Sequence, residues 1–176
     1  MKISLRTVLI ALVVLVAAGG VISTVPGDQK SDGTQNEVLE RQCSGEDGVS
    51  LVVDFGTSSG KNIAEFCVKN FEATGWDLLA AAGLNAQGTS EYPTGFVCRL
   101  DNWPSEADQP CTKTPTNAQG TWAYFNAKTN AWQFSGQGAS SRKPACGEVD
   151  GWRFVEHGEV ASQSEPRVNP AAAACK

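Results

Sequence analysis

The sequence predicts an α+β fold in which a mixed or antiparallel sheet carries one short helix packed across it and disulfide bonds staple the structure. Three observations lead to this prediction. Hydrophobic residues recur at every second position in several segments, one segment has helical spacing with capping residues, and six cysteines are spread along the 176 residues. The 18 glycines and 8 prolines supply the turns that short strands need.

The first predicted unit is a β-hairpin. Residues 48–56 and 62–71 alternate hydrophobic and polar side chains with a period of two, which is typical of strands with one buried face. The glycine-bounded stretch 56–60 supplies the turn between them.

A short helix follows, with a start signal and a stop signal. Thr74 can cap the first backbone amides, and Asp77, three residues later, can complete a capping box. Trp76, Leu79 and Ala80 then share one face, and a glycine at position 83 is placed to end the helix in the left-handed conformation. Two turns are not stable alone in water, so this helix must pack on the sheet.

The second half of the chain supplies a strand, a hairpin and a closing strand. Strand patterning covers residues 95–100, 121–126, 131–134 and 149–154, and a Lys-Thr-Asn turn joins the middle two segments into the hairpin. The order hairpin, helix, strand, hairpin, strand predicts a mixed or antiparallel sheet, and a helix lying across it gives a β-grasp-like arrangement.

The folded domain is expected over residues 48–156, with different segments on either side. Residues 1–23 combine a basic start, a mostly aliphatic run and small residues, which predicts a cleaved signal peptide or, alternatively, an uncleaved N-terminal anchor. Residues 24–47 are polar and predict a disordered linker, and residues 157–176 predict a flexible tail. Either form of the leader places the domain outside the cytoplasm, secreted or at the cell surface.

The cysteines are predicted to form disulfides, because their number is even and the chain carries an export segment. Cys98 and Cys111 would close a proline-containing loop, and such a bridge stabilises by roughly 3 kcal/mol. The pairing among Cys43, Cys67, Cys146 and Cys175 stays open. The absence of C-x-x-C spacing and the presence of a single histidine predict no metal site, and no cofactor is expected.

The charge balance argues against two classes of partner. Without the two basic residues of the leader, the chain holds 12 basic against 19 acidic residues, and it has no basic stripe. Nucleic acid is therefore not an expected partner. Contact with a membrane is expected only through an uncleaved N-terminal segment.

Catalytic machinery is not predicted, so we do not expect an enzyme. Any Ser-His or Cys-His mechanism would run through His157, which is interpreted as an exposed tail residue because no G-x-S-x-G segment accompanies it. Asp101, Glu106 and Asp108 lack the spacing of a calcium loop and are interpreted as a solvated acidic loop. A carboxylate pair assembled by the fold stays open, because such pairs are spatial rather than sequential.

Aromatic residues of the late strands are the candidate binding residues. Trp122, Trp132 and Trp152 each lie two positions from another aromatic residue, which is Tyr124, Phe134 or Phe154. This pattern predicts either a partly exposed platform that stacks on a flat ligand or sugar ring, or the hydrophobic core of a thin sheet. Trp103, in the bridged loop, is the candidate for an exposed contact.

Five segments together resemble a known family: VSLVVDFG (49–56), TGWDLLAAAG (74–83), GFVCRLDNWP (95–104), GTWAYFNAKTNAWQFSGQGASSRKP (120–144) and GEVDGWRF (147–154). They resemble the carboxy-terminal, β-grasp-like domain of transcobalamin and intrinsic factor. Small exported actinobacterial proteins that occur beside vitamin-type energy-coupling transporters look more similar still. The resemblance covers most of residues 49–154.

The resemblance implies a soluble binding or accessory domain, with a vitamin-like (corrinoid) molecule or a membrane transporter component as its partner. It also implies that the glycine-rich loop after the second hairpin lies near a ligand-facing edge, which makes Gln137, Ser140, Ser141 and Arg142 candidate binding residues. The 176 residues contain no helical toroid of the kind that supplies much of the ligand contact in the vitamin carriers. The alternative function is a cell-envelope glycan-binding or structural interaction module.

Overall fold

A six-stranded mixed sheet organises the part of the chain that the computed structural model describes, residues 36–45, 47–116 and 118–175. The strands are β1 (Val38–Leu39), β2 (Gly48–Asp54), β3 (Ala64–Lys69), β4 (Ala86–Gly88), β5 (Val97–Leu100), β6 (Thr121–Ala127), β7 (Gln133–Phe134) and β8 (Val149–Val155). Helix α1 spans Gly75–Ala81, and a 3₁₀ turn spans Ala161–Gln163. The strand order is β1-β3-β2-β8-β6-β7, and β4 and β5 form a separate antiparallel pair.

The central pair of the sheet, β2 and β8, is parallel, and its neighbours are antiparallel. The predicted first hairpin is present as β2 and β3, and the second as β6 and β7, although β7 is only two residues long. The α+β class is therefore confirmed, with a mixed sheet and one short helix. The finer likeness to a β-grasp fold stays a prediction.

Helix α1 begins at the predicted capping box. The Thr74 hydroxyl accepts a hydrogen bond from the Asp77 backbone N–H at 3.2 Å, and the Asp77 carboxylate accepts from the Thr74 N–H at 3.1 Å. The buried face differs from the predicted one, because Leu78 and Leu79 point into the core while Ala80 is exposed. The left-handed glycine expected after the helix is present, with a φ of 81° at Gly83.

Both faces of the central strands are buried. On the helix side, alternate residues of β2, β6 and β8 form one hydrophobic core with α1. On the opposite side, Val52, Phe125 and Val149 belong to a second core that includes Trp132. Every residue of β2 and β8 is consequently buried, as expected for strands covered on both sides.

The second core is covered by residues 157–175, here called the C-terminal strap, where the sequence predicted a flexible tail. The Trp132 indole N–H donates to the Val168 carbonyl at 2.8 Å. Arg167 binds the buried carboxylate of Asp54, and Cys175 is bonded to Cys146. The strap is polar and rich in alanine, and its contacts are made to distant residues, so local composition did not predict this packing.

The folded unit also begins earlier than predicted. Val38 and Leu39 pair with β3 inside the expected linker, and Cys43 is buried. The predicted leader, residues 1–23, lies outside the described residues. Among the residues that are described, no helix combines the length and the apolar character needed to cross a membrane.

The structure contains three disulfides, and these account for all six cysteines. The predicted Cys98–Cys111 bridge is confirmed. The pairings left open by the sequence are Cys43–Cys67 and Cys146–Cys175. Disulfides of this number indicate an oxidising, extracytoplasmic environment.

Candidate ligand-binding site

A cavity of about 350 Å³ lies at the outer edge of β6. Strand β7 pairs only with Phe125 and Asn126, so residues 121–123 have no strand partner on this side among the described residues. The lining comes from the start of β5 and the two residues before it, from β6, from the end of β7 and the loop after it, and from Trp152 and Ala161. The lining residues are Gly95, Phe96, Val97, Thr121, Trp122, Ala123, Tyr124, Phe134, Ser135, Gly136, Gln137, Gly138, Ala139, Trp152 and Ala161.

Three aromatic residues of the core reach this cavity. Tyr124 and Trp152 are stacked, with ring centroids 4.6 Å apart and an angle of 25° between the ring planes. Trp122 packs edge-to-face on Phe154 at 5.5 Å. All three cavity-lining rings are at most 8% exposed, so they are core residues that border the cavity rather than an open platform.

Phe134 provides the exposed apolar surface of the site. Its side chain is 48% exposed, and its ring packs edge-to-face on Phe125 at 5.5 Å. Because β7 ends at this residue, the ring lies where the edge of the sheet opens towards solvent. A half-exposed ring beside a cavity can cover a ligand that enters it.

The indole N–H of Trp152 is buried and has no hydrogen-bond partner among the described residues. The Trp103 indole N–H also lacks a partner in the described part of the chain, whereas Trp122 donates to the Trp103 carbonyl at 3.2 Å and Trp132 donates to the Val168 carbonyl. Trp152 lines the cavity and Trp103 does not.

The glycine-rich loop after β7 forms the remaining wall, and helix α1 holds it in place. The Ser135 N–H donates to the Tyr124 carbonyl at 2.9 Å, continuing the β6–β7 pairing by one bond. The first helical amides, of Gly75 and Trp76, donate to carbonyls at the far end of the loop, those of Arg142 and Ala139. The helix start is therefore occupied by the loop, which positions the exposed Gln137 at the cavity.

A buried ionic network lies behind the aromatic wall. The Tyr124 hydroxyl donates to Asp150, Arg142 binds Asp150, and Arg142 also binds Glu148 at 2.6 Å. Burial raises the pKa of Asp150 to about 6, although the charge of Arg142 opposes this change. Burial and the Asp150 carboxylate also raise the pKa of Tyr124, so its hydroxyl stays protonated and remains a donor. The network fixes the tyrosine ring beside the cavity.

The structure brings together four of the nine predicted binding residues. Trp122, Tyr124, Gln137 and Trp152 line the cavity, whereas Trp103, Trp132, Ser140, Ser141 and Arg142 do not. Trp132 lies on the opposite face of the sheet, and the guanidinium group of Arg142 is buried in its ion pairs. Ser140 and its neighbour Ser141 are exposed on the loop.

Trp103 borders a second cavity, of about 210 Å³, together with Glu156 and His157. Trp103 is partly buried against the main core, and His157 is exposed as predicted. The backbone N–H of Ser58 donates to Glu156 at 2.7 Å, and this bond with that of the Thr57 hydroxyl lowers the pKa of Glu156 to about 2. Glu156 is therefore ionised at neutral pH and acts as a hydrogen-bond acceptor.

Two acidic groupings of the described residues serve the local structure. Asp47 lies near Cys146 and Cys175, but these sulfur atoms are bonded to each other and offer no thiolate to a metal. Asp101 and Asp108, in the loop closed by Cys98–Cys111, accept hydrogen bonds from the Asn85 N–H and the Ser105 hydroxyl, respectively.

Several lining residues were not predicted as binding residues. Phe134 belongs to the predicted aromatic pattern, two residues after Trp132, but was not singled out as a contact. Phe96 and Val97 were predicted only as strand residues. Ala161 belongs to the C-terminal strap and carried no signal, because its position depends on how the strap folds back.

The comparisons with known proteins concern mainly the C-terminal part of the chain. A family model, the SCO2322-like domain, matches residues 116–176, which are 61 of the 176 residues. The matched range covers β6, β7, the glycine-rich loop, β8 and the C-terminal strap, and it contains all of the cavity lining except Gly95, Phe96 and Val97. No curated protein and no solved structure matches the chain. The resemblance to the transcobalamin and intrinsic-factor domain stays a prediction.

Proposed function

We propose that this protein is a non-enzymatic binding or accessory domain, secreted or held at the cell surface, that accepts a flat apolar group in the cavity beside β6. The observation that carries the proposal is the wall of three aromatic residues, completed by the half-exposed ring of Phe134. The cavity volume of about 350 Å³ lies at the lower end of the range of about 300 to 1,000 Å³ that is common for small-molecule sites.

The size of the cavity limits how a vitamin-type ligand would bind. A corrinoid is larger than a drug-sized molecule, so only an edge or a ring substituent would enter, and the rest would lie over Phe134 and the glycine-rich loop. A component of a vitamin transporter is the other partner in this proposal, with an apolar side chain in place of the ligand ring. Under either version of the proposal, the group that binds enters the same cavity.

Glycan binding is a second candidate, favoured by one observation. The Phe134 ring is 48% exposed at the rim, and aromatic faces are common stacking surfaces for sugar rings. In this case the sugar would lie on the rim and the cavity interior would contribute less.

Tryptophan fluorescence tests these proposals by titration with a corrinoid and, separately, with cell-wall oligosaccharides. Phe134→Ala should lower the affinity for the ligand that gives a response about fivefold, because roughly 1 kcal/mol of apolar contact is lost. Tyr92→Ala is the matched control, since Tyr92 is 49% exposed but does not line the cavity.

The outcomes separate the candidates. A corrinoid response that depends on Phe134 supports vitamin capture, and an oligosaccharide response supports glycan binding. Binding to a purified transporter component, without a response to either ligand, supports the accessory role. A response that is the same in Phe134→Ala and wild type would place the site elsewhere and overturn the proposal.

A further inference from the structure

We infer that the cavity beside β6 takes a planar, uncharged ligand group whose hydrogen-bond acceptor receives the indole N–H of Trp152. This inference rests on the proposed function and adds the chemical class of the group that enters. Trp152 is 4% exposed, and its Nε1 has no partner among the described residues. A buried donor is normally satisfied, so a donor left without a partner beside a cavity indicates where an acceptor belongs.

The polar groups of the neighbouring aromatic residues do not compete for this role. The Tyr124 hydroxyl is committed to Asp150, and the indole groups of Trp122 and Trp132 already donate to backbone carbonyls. Trp152 is consequently the aromatic donor of the wall that remains for a ligand.

The lining also defines the charge of the ligand group. None of the described lining residues carries a charged side chain, and the nearby charges of Arg142 and Asp150 are paired with each other behind the wall. A charged group would lose its hydration on entry without gaining an opposite charge. The group that enters is therefore neutral.

The shape of the lining favours a flat ring. Tyr124 and Trp152 have nearly parallel rings, and loop backbone at Gly136 and Gly138 lines the same cavity. Apolar walls satisfy a water molecule poorly, because a buried water needs two to four polar partners. A planar ring with one acceptor fits the aromatic part of the lining and the unpaired Trp152 donor.

Benzimidazole and indole test the inference, because they are planar bicyclic molecules of nearly the same size. Benzimidazole carries a ring nitrogen that accepts a hydrogen bond, and indole does not. Calorimetry on the disulfide-bonded protein should show benzimidazole binding about two- to tenfold more tightly than indole, as expected for one neutral hydrogen bond. In Trp152→Phe this preference should disappear, while weak binding of both compounds remains.

A spectroscopic measurement on the wild type tests the same hydrogen bond without depending on whether the Trp152→Phe variant folds. In a ¹H–¹⁵N spectrum, the Trp152 side-chain N–H signal should move downfield with benzimidazole and stay nearly in place with indole. The Trp122 and Trp132 N–H signals, which are already hydrogen-bonded, should show no such downfield shift.

The contradicting results are distinguishable. Equal affinities for the two compounds, or an unmoved Trp152 N–H signal with bound benzimidazole, would overturn the donor role of Trp152 and leave the cavity as a binding site. No binding of either compound at millimolar concentration, together with a natural ligand that binds independently of Phe134, would overturn both this inference and the proposed function.

Discussion

Asp54 and Asp150 are both buried carboxyl groups, yet their pKa values move in opposite directions. Burial opposes ionisation of Asp54, but hydrogen bonds from Arg167 and the charge of Arg153 outweigh this effect and lower its pKa. Burial dominates at Asp150, where it raises the pKa to about 6 despite the charge of Arg142. The number of donors around each carboxylate, rather than burial alone, decides the direction.

The raised pKa of Asp150 predicts an unusual pH dependence of stability. In the unfolded chain this group titrates near 3.8, so between about pH 4 and 6 the folded state holds a proton that the unfolded state has released. This contribution is fully present below the unfolded pKa and is lost as the pH rises through about 6. Relative to Asp150→Asn, the wild type should gain on the order of 2 kcal/mol of unfolding free energy between pH 7 and pH 4.

Urea denaturation at several pH values measures this difference. Glu91→Gln, which removes an exposed carboxylate, is the control and should follow the wild type over this pH range. Parallel stability curves for wild type and Asp150→Asn would show that Asp150 keeps an ordinary pKa in the folded state.

At the scale of elements, the first turn of helix α1 packs closely against the Tyr124–Asp150 pair. A Cβ atom added at Gly75 would overlap the Tyr124 hydroxyl and lie 2.7 Å from the Asp150 carboxylate. The glycine is therefore required by a close approach between the helix and the sheet. This approach also explains how the first helical amides reach the carbonyls of the glycine-rich loop.

Gly75→Ala should destabilise the protein by about 1 to 3 kcal/mol, because overpacking outweighs the better helix propensity of alanine. Gly136→Ala is the matched control, since an added Cβ there meets no atom within 4 Å and should change stability by less than about 0.5 kcal/mol. Chemical denaturation followed by tryptophan fluorescence compares the two. A stable Gly75→Ala protein would mean that the helix can shift away from the sheet.

The elements differ in how far local sequence predicts them. Helix α1 and strands β2, β6 and β8 follow from periodicity and capping residues, which act over a few positions. Strands β1 and β7 are two residues long and exist through their pairing with β3 and β6. The two residues of β1 carry too little pattern to be placed from sequence, and β7 was predicted from its neighbours over the longer range 131–134.

At the scale of the whole molecule, the C-terminal strap completes the fold by covering the second face of the sheet. Arg167 reaches Asp54 across 113 positions of sequence, and the Trp132 ring lies on Gly151 beneath the strap. The Cys146–Cys175 bridge holds the far end of the strap to the loop before β8. Without this segment, the charge of Asp54 and the apolar residues of the second core would face solvent.

Removing this bridge should loosen the strap. The double variant Cys146→Ser/Cys175→Ser opens a loop with a sequence separation of 29, which predicts a loss of about 3 to 4 kcal/mol and faster proteolysis within the strap. The control, Cys98→Ser/Cys111→Ser, opens a separation of 13 and should lose about 3 kcal/mol without new cleavage in the strap. Mass spectrometry of limited digests locates the cuts. Equal strap cleavage in both variants would contradict a specific anchoring role.

The sequence by itself determined the α+β class, the capped helix, the main strands and the Cys98–Cys111 bridge, because each depends on residues close together in the chain. It also indicated the aromatic residues from which the cavity wall is drawn. Only the tertiary structure decided which of them meet at the cavity, that the Trp152 indole beside it has no acceptor among the described residues, how the other cysteines pair and where the strap lies. Those features join distant positions, such as Tyr124 with Asp150 and Asp54 with Arg167, and no local pattern carries such pairings.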